Sequence, residues 1–206
     1  MRELGLPGRL LLMAICCGFA WIAGCASEAL KPTFPTSSGL QQPDRILVHD
    51  FAVMSEESAL KGVVGSGLGS QRAQSEEEIR VGTALGKALS GHLVSELRSR
   101  GINALAAGEA VAPGDTTALI RGRFMRSSGG DNVVGFALGA REVRTRVQIF
   151  QGKGLDLRLV SEAESVTPSS LTQGATTEAI SADAKRAAQA LAERVTAYYR
   201  KQGWVK

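Results

Sequence analysis

Cysteine, histidine and aromatic residues are all scarce in this chain of 206 residues, which holds three Cys, two His, six Phe, two Tyr and two Trp. Two His and three Cys do not supply an elaborate metal site. No His-x-x-His spacing and no Gly-x-Ser-x-Gly elbow is present, so the usual zinc-hydrolase and serine-hydrolase signatures are missing. Charge of one sign is also lacking. Lys and Arg number 24 against 20 Asp and Glu, and a net +4 is too small to imply nucleic acid. Aromatics for stacking bases are few, which argues the same way. No enzyme activity, no cofactor, no metal and no nucleic-acid partner is expected.

A long hydrophobic run is missing as well. The longest uncharged apolar stretch, residues 10–24, is shorter than the roughly 20 residues a spanning helix needs. It follows Arg2 and Arg9, and small residues then lead into Ile22-Ala-Gly-Cys25. A basic start, an apolar core and a small-residue end make a signal peptide. The last four residues resemble the bacterial lipobox, with Ile in place of its usual Leu. The resemblance implies cleavage after residue 24 and a lipid on Cys25, making membrane lipid the first partner. Ala26 and Ser27 follow the cysteine rather than Asp, which by resemblance to known sorting rules points to the outer membrane, with the domain in the periplasm. Two acyl chains already anchor stably, so three hold essentially permanently. Cys16 and Cys17 leave with the signal and Cys25 takes the lipid, so the exported part folds without a disulfide.

What is present organises the rest. Residues 25–44 carry Pro32, Pro35 and Pro43 among Thr, Ser and Gln, the composition of a flexible tether. Residues 45–206 then form a single domain. Residues 45–53 are a β-rich apolar run, and residues 54–74 hold Gly62, Gly65, Gly67 and Gly69 without a Gly-Lys-Ser/Thr ending. That stretch is a long loop rather than a phosphate cradle. Ser75 and Glu78 form a capping box for a helix striped by Ile79, Leu85, Leu89, Leu93 and Leu97, closed near Gly101. Strands are expected over residues 102–105, 118–126, 141–151 and 155–166, the last three joined as antiparallel hairpins. A second helix over 177–202 carries Ile180, Ala184, Ala187, Leu191, Val195 and Tyr198 on one stripe, with Gly203 as its stop. The order β-α-β-β-β-β-α is an α+β fold.

Strand parity adds the layers. Residues two apart share a face. Ile120, Phe124, Val143, Val147, Ile149, Leu157 and Leu159 fall on one face, and Arg121, Arg123, Glu142, Arg144, Arg146, Asp156, Arg158, Glu162 and Glu164 on the other. A mostly antiparallel sheet covered on one side by both helices, a two-layer sandwich, follows.

Two sets of residues are candidate sites. Arg121, Arg123, Arg144, Arg146 and Arg158 make a face able to contact anions such as phosphate or glycan, or alternatively a set of cross-strand ion pairs on a solvated face. Val133, Val134, Phe136 and Leu138, in the glycine-flanked run of residues 133–140, form either a buried strand or an exposed contact for self-association or another envelope protein.

Ile46-Leu-Val-His-Asp-Phe51, Glu78-Ile-Arg80 with Leu85-Gly-Lys-Ala-Leu89, Leu119-Ile-Arg-Gly-Arg-Phe124 and Gly135-Phe-Ala-Leu-Gly-Ala-Arg-Glu-Val-Arg-Thr-Arg146 together resemble bacterial lipoproteins of the domain of unknown function 4410 family. The likeness covers most of residues 45–202, and the family name implies no reaction. In layout alone the chain also resembles envelope lipoprotein domains such as the peptidoglycan-synthase activators, the amino-terminal domain of the Tol translocation protein and the curli secretion lipoprotein. The expected role is a non-enzymatic outer-membrane lipoprotein, a binding or assembly module, or alternatively an oligomeric accessory of a secretion or transport system.

Overall fold

A computed structural model describes residues 40–53, 75–107, 116–125, 137–153 and 156–205. The expected signal peptide, Cys25, most of the expected tether, the residues 54–74 and the candidate contacts Val133, Val134 and Phe136 lie outside the described residues.

Five strands and two helices follow the expected order: β1 Arg45–Val48, α1 Glu76–Ser99, β2 Ala104–Ala106, β3 Thr116–Met125, β4 Glu142–Lys153, β5 Asp156–Pro168 and α2 Thr177–Lys201. They make one sheet in the order β2-β1-β3-β4-β5. The two long ladders, β3 with β4 and β4 with β5, are antiparallel. β1 pairs in parallel with β2 and β3. A parallel pair needs a long crossover, and α1 supplies it between β1 and β2. β1 stops at Val48, short of the expected Val53, but Ala52 still bridges to Arg123.

α1 begins where the capping box requires. Glu78 N donates to Ser75 Oγ at 3.2 Å and Ser75 N donates to Glu78 Oε2 at 2.8 Å. Val81, Leu85, Leu89, Leu93 and Leu97 form its buried stripe, while Ile79, counted in that stripe from the sequence, is exposed. Every residue of the expected α2 stripe is buried. Gly203 takes a φ of 77°, the left-handed turn past the helix end that favours glycine.

Both helices pack on one face of the sheet. Ile46, Val48, Ile120, Phe124, Val143, Val147 and Ile149 meet them in a single core. Gly122 leaves room there for Phe51, since a Cβ would fall 2.0 Å from the ring. The core also reaches backward along the chain. Gln151 Nε2 donates to the Gln41 carbonyl, and Thr116 N donates to the Asp44 carboxylate at 2.8 Å. The last residues before β1 are therefore fastened to the domain rather than loose.

Candidate interaction face

The face of the sheet turned away from the helices is the candidate site. Its composition follows from one irregularity in β5. Ile149 of β4 stands opposite Ser161, but Phe150 stands opposite Leu159, so Val160 is an extra residue, a β-bulge. Parity reverses there. Leu157 and Leu159, assigned from the sequence to the helix side, lie instead opposite Gly152 and Phe150 on the helix-free face. Arg158 and Asp156, assigned to the charged face, stand opposite Gln151 and Lys153 on the other side. Strict alternation fails because a bulge shifts every residue beyond it by one.

The correction assembles a row that sequence parity missed. Leu105 pairs with Leu47, Leu47 with Leu119, Leu119 with Phe150, and Phe150 with Leu159. One apolar residue from each of the five strands thus stands at the same level on the helix-free face. None of the five belongs to the helix-side core. Leu119, in the centre, is 5% exposed, and the other four are half-buried. No described helix lies over this row.

Charged residues border it. Arg121 sits over Phe150, its guanidinium carbon 5.7 Å from the ring centroid. Arg146 pairs across strands with Glu162 at 3.3 Å and with Glu164 at 2.5 Å. Gln148 Nε2 donates to Glu162 at 2.9 Å, and Arg144 pairs with Glu142 at 2.7 Å. Arg123 Nε is buried without a hydrogen-bond partner. His49 is held below the ordinary imidazole range by partial burial and then by the charge of Arg121, partly offset by Asp50. Asp50 itself accepts from Ser90 Oγ of α1 at 2.5 Å, which ties the end of β1 to the helix.

The five candidate arginines do not gather into one anion cradle. Arg144 and Arg146 are engaged by glutamates, Arg121 lies along an aromatic ring, and Arg158, 81% exposed, pairs with Asp156 at 3.6 Å away from the others. On this face Arg144 and Arg146 stand in ion pairs with glutamates. Leu138, the one described member of the glycine-flanked candidate, is half-buried against the core, and the adjacent Gly139 N donates to the Leu171 carbonyl at 2.8 Å. His92 Nε2 lies 3.1 Å from Ser181 Oγ and joins the two helices. Among the described residues, no group of three or more His, Cys, Asp or Glu is placed to hold a metal ion, and no helix is long and apolar enough to cross a membrane.

One signal for the apolar row was present in the sequence. Ile46-Leu-Val48 and Leu119-Ile120 are apolar at consecutive positions, which puts apolar side chains on both faces.

No family model matches the chain, and no curated protein matches it. Among solved structures it is similar to a Xanthomonas campestris protein of the domain of unknown function 330 family, at 17% identity and a TM-score of 0.39, over 84% of this chain and 94% of that one. A PelC dodecamer from Paraburkholderia phytofirmans is similar at 13% identity and a TM-score of 0.33, over 79% of this chain and 97% of that one. An uncharacterized protein is similar at 15% identity and a TM-score of 0.39, over 79% and 95% of the two chains. At these identities and TM-scores the likeness is one of general layout, and nothing of what those proteins do is carried over from it.

Proposed function

We propose that the protein is a lipid-anchored envelope protein of bacteria that works by binding rather than by catalysis. In this reading Cys25 holds it to the outer membrane, and the helix-free sheet face meets another envelope component in the periplasm. The observation that carries the reading is the apolar row of that face. A solvated face needs only polar residues, yet here each strand contributes one large apolar side chain at the same level. Rows of this kind, rimmed by charge, mark contact surfaces. The lipobox-like end of the apolar run supports the anchoring half.

The two halves have separate tests. Cys25→Ser is expected to abolish incorporation of labelled palmitate and to release the protein from the membrane fraction; unchanged labelling sinks the anchor. A photo-crosslinking residue at position 150 is expected to give a defined adduct in intact cells, while one at the exposed Arg158 does not. Equal adducts from both positions sink the binding face.

A second reading is an oligomeric accessory of a secretion or transport system: on the same face Arg121 and Arg123 of β3 stand level with Glu162 and Glu164 of β5, charges that two copies can pair.

A further inference from the structure

The helix-free face is unlike at its two sides. β3 presents Arg121 and Arg123, while β5 presents Glu162 and Glu164 at the same levels, with β4 between them. Arg121 and Glu162 both flank Gln148, and Arg123 and Glu164 both flank Arg146. The apolar residues keep the same symmetry: Leu119 and Leu159 flank Phe150, and Met125 and Val166 flank Arg144.

Such a pattern matches itself when turned over. A two-fold axis along β4, between two facing sheets, leaves each row at its own level and lays the β5 of one copy over the β3 of the other. Arg121 then faces the partner's Glu162, and Arg123 the partner's Glu164. Leu119 faces the partner's Leu159, Met125 the partner's Val166, and Phe150 meets its own copy at the axis. Aligned sheets pack about 10 Å apart in this way, with strand directions within about 30°. Arg144 and Arg146, which also meet their copies near the axis, already have glutamates beside them. Arg121 and Arg123 have no carboxylate in ion-pair reach among the described residues, and Val166 is 50% exposed. These are the groups that the second copy supplies with partners.

We propose that the helix-free face is a two-fold self-association surface, in which two copies of this chain pack sheet against sheet with β3 over β5. The proposal rests on the reading of that face as the binding surface. It names a second copy as the occupant because at four successive levels β3 and β5 offer opposite charges, or apolar against apolar, without any outside partner. An isologous contact of this kind closes at two copies. The bulge at Val160 shapes this face: in an unbroken register Val160 would stand opposite Phe150 and Arg158 opposite Gly152, on the same face.

The test uses the full lipidated chain in detergent, by sedimentation velocity across a concentration series. The wild type is expected to run as a dimer. Arg123→Glu and Glu164→Arg are each expected to weaken the dimer about tenfold or more while the melting curve stays close to wild type. Mixing the two single variants restores a dimer, since each chain then supplies the charge that the other needs, and the double variant restores it within one chain. In intact cells, Phe150→Cys gives a disulfide-linked dimer under mild oxidation that the wild type does not form.

A wild type that stays monomeric at every concentration overturns the proposal. So do single variants that fail to restore each other when mixed. The binding reading fails separately. A crosslink from position 150 to a different envelope component, or within the same chain, overturns the second copy, and only the former leaves the face as a binding surface. No crosslink of any kind from position 150 removes both.

Discussion

The two faces of one sheet obey different rules. On the helix side, β4 buries every second residue from Val143 through Gln151, and the buried set runs straight into the helices. On the helix-free side the same strand offers Glu142, Arg144, Arg146, Gln148 and Phe150, all partly exposed. One face is held by volume and the other by pairing. Filling space demands shape, so Gly122 must remain without a side chain to admit Phe51. Pairing tolerates shape and demands register, so a single extra residue at Val160 rewrites which groups meet.

The comparison breaks if substitutions on the two faces cost alike. Leu89, fully buried in the middle of α1, carries the largest expected effect: Leu89→Ala destabilises by about 2–5 kcal/mol through lost burial and a residual cavity. Denaturant melts measure it, and a shift under about 0.5 kcal/mol would place Leu89 on a surface. Gly122→Ala comes next, at about 1–3 kcal/mol, because the ring of Phe51, packed beside Phe124, must leave its place over Gly122. The same melts read it, and a neutral outcome would mean that the ring shifts freely.

Phe150→Ser tests the other face. With a half-buried ring, the expected loss of folding stability is about 1 kcal/mol. Its larger effect falls on association, read by sedimentation. A loss equal to that of Leu89→Ala would make this face a second core.

Tyr199 sharpens the helix side further. Its hydroxyl is buried without a hydrogen-bond partner, and burial pushes its ionisation well above the ordinary phenol range. Tyr199→Phe removes an unsatisfied polar atom and keeps the ring packed on Trp204, so stability is expected to stay within about 0.5 kcal/mol or rise. A fall of more than about 1 kcal/mol would show that the hydroxyl has a partner.

The smallest effect belongs to His49, beside Arg121. Its folded-state value lies below its unfolded one, so as pH falls through about 6.5 the unfolded chain binds the proton first. Stability from this group is present above that pH and declines below it. The melting temperature is expected to fall between pH 7.5 and 5.5, and His49→Gln removes the portion of that fall due to this group. An identical pH profile in the variant would detach His49 from the effect.

Much of the fold was legible in local chemistry. Ser75 and Glu78 announced α1 because a capping box is satisfied within four residues. The stripe of α2 was complete because a helical period needs no distant partner. The antiparallel pairing of β3, β4 and β5 read correctly because strands that follow one another in the chain became neighbours in the sheet. Ile79 read wrongly because periodicity assigns a side chain to a stripe without saying where the covering layer ends.

The face itself was only half legible. Alternation on β3 and β4 placed Arg121, Arg123, Arg144 and Arg146 together, and the structure keeps them on one side. It failed for Leu157, Leu159, Asp156 and Arg158, because a bulge arises from the pairing of two strands and not from the sequence of one. Local patterns along the chain specify the elements, their order and the charge on one side of the sheet. That Leu105, Leu47, Leu119, Phe150 and Leu159 stand in one row follows only from how the strands pair. Their alignment depends on inter-strand register, including two parallel pairings that join residues far apart in the chain. Register is fixed by hydrogen bonds between strands, which no single segment contains.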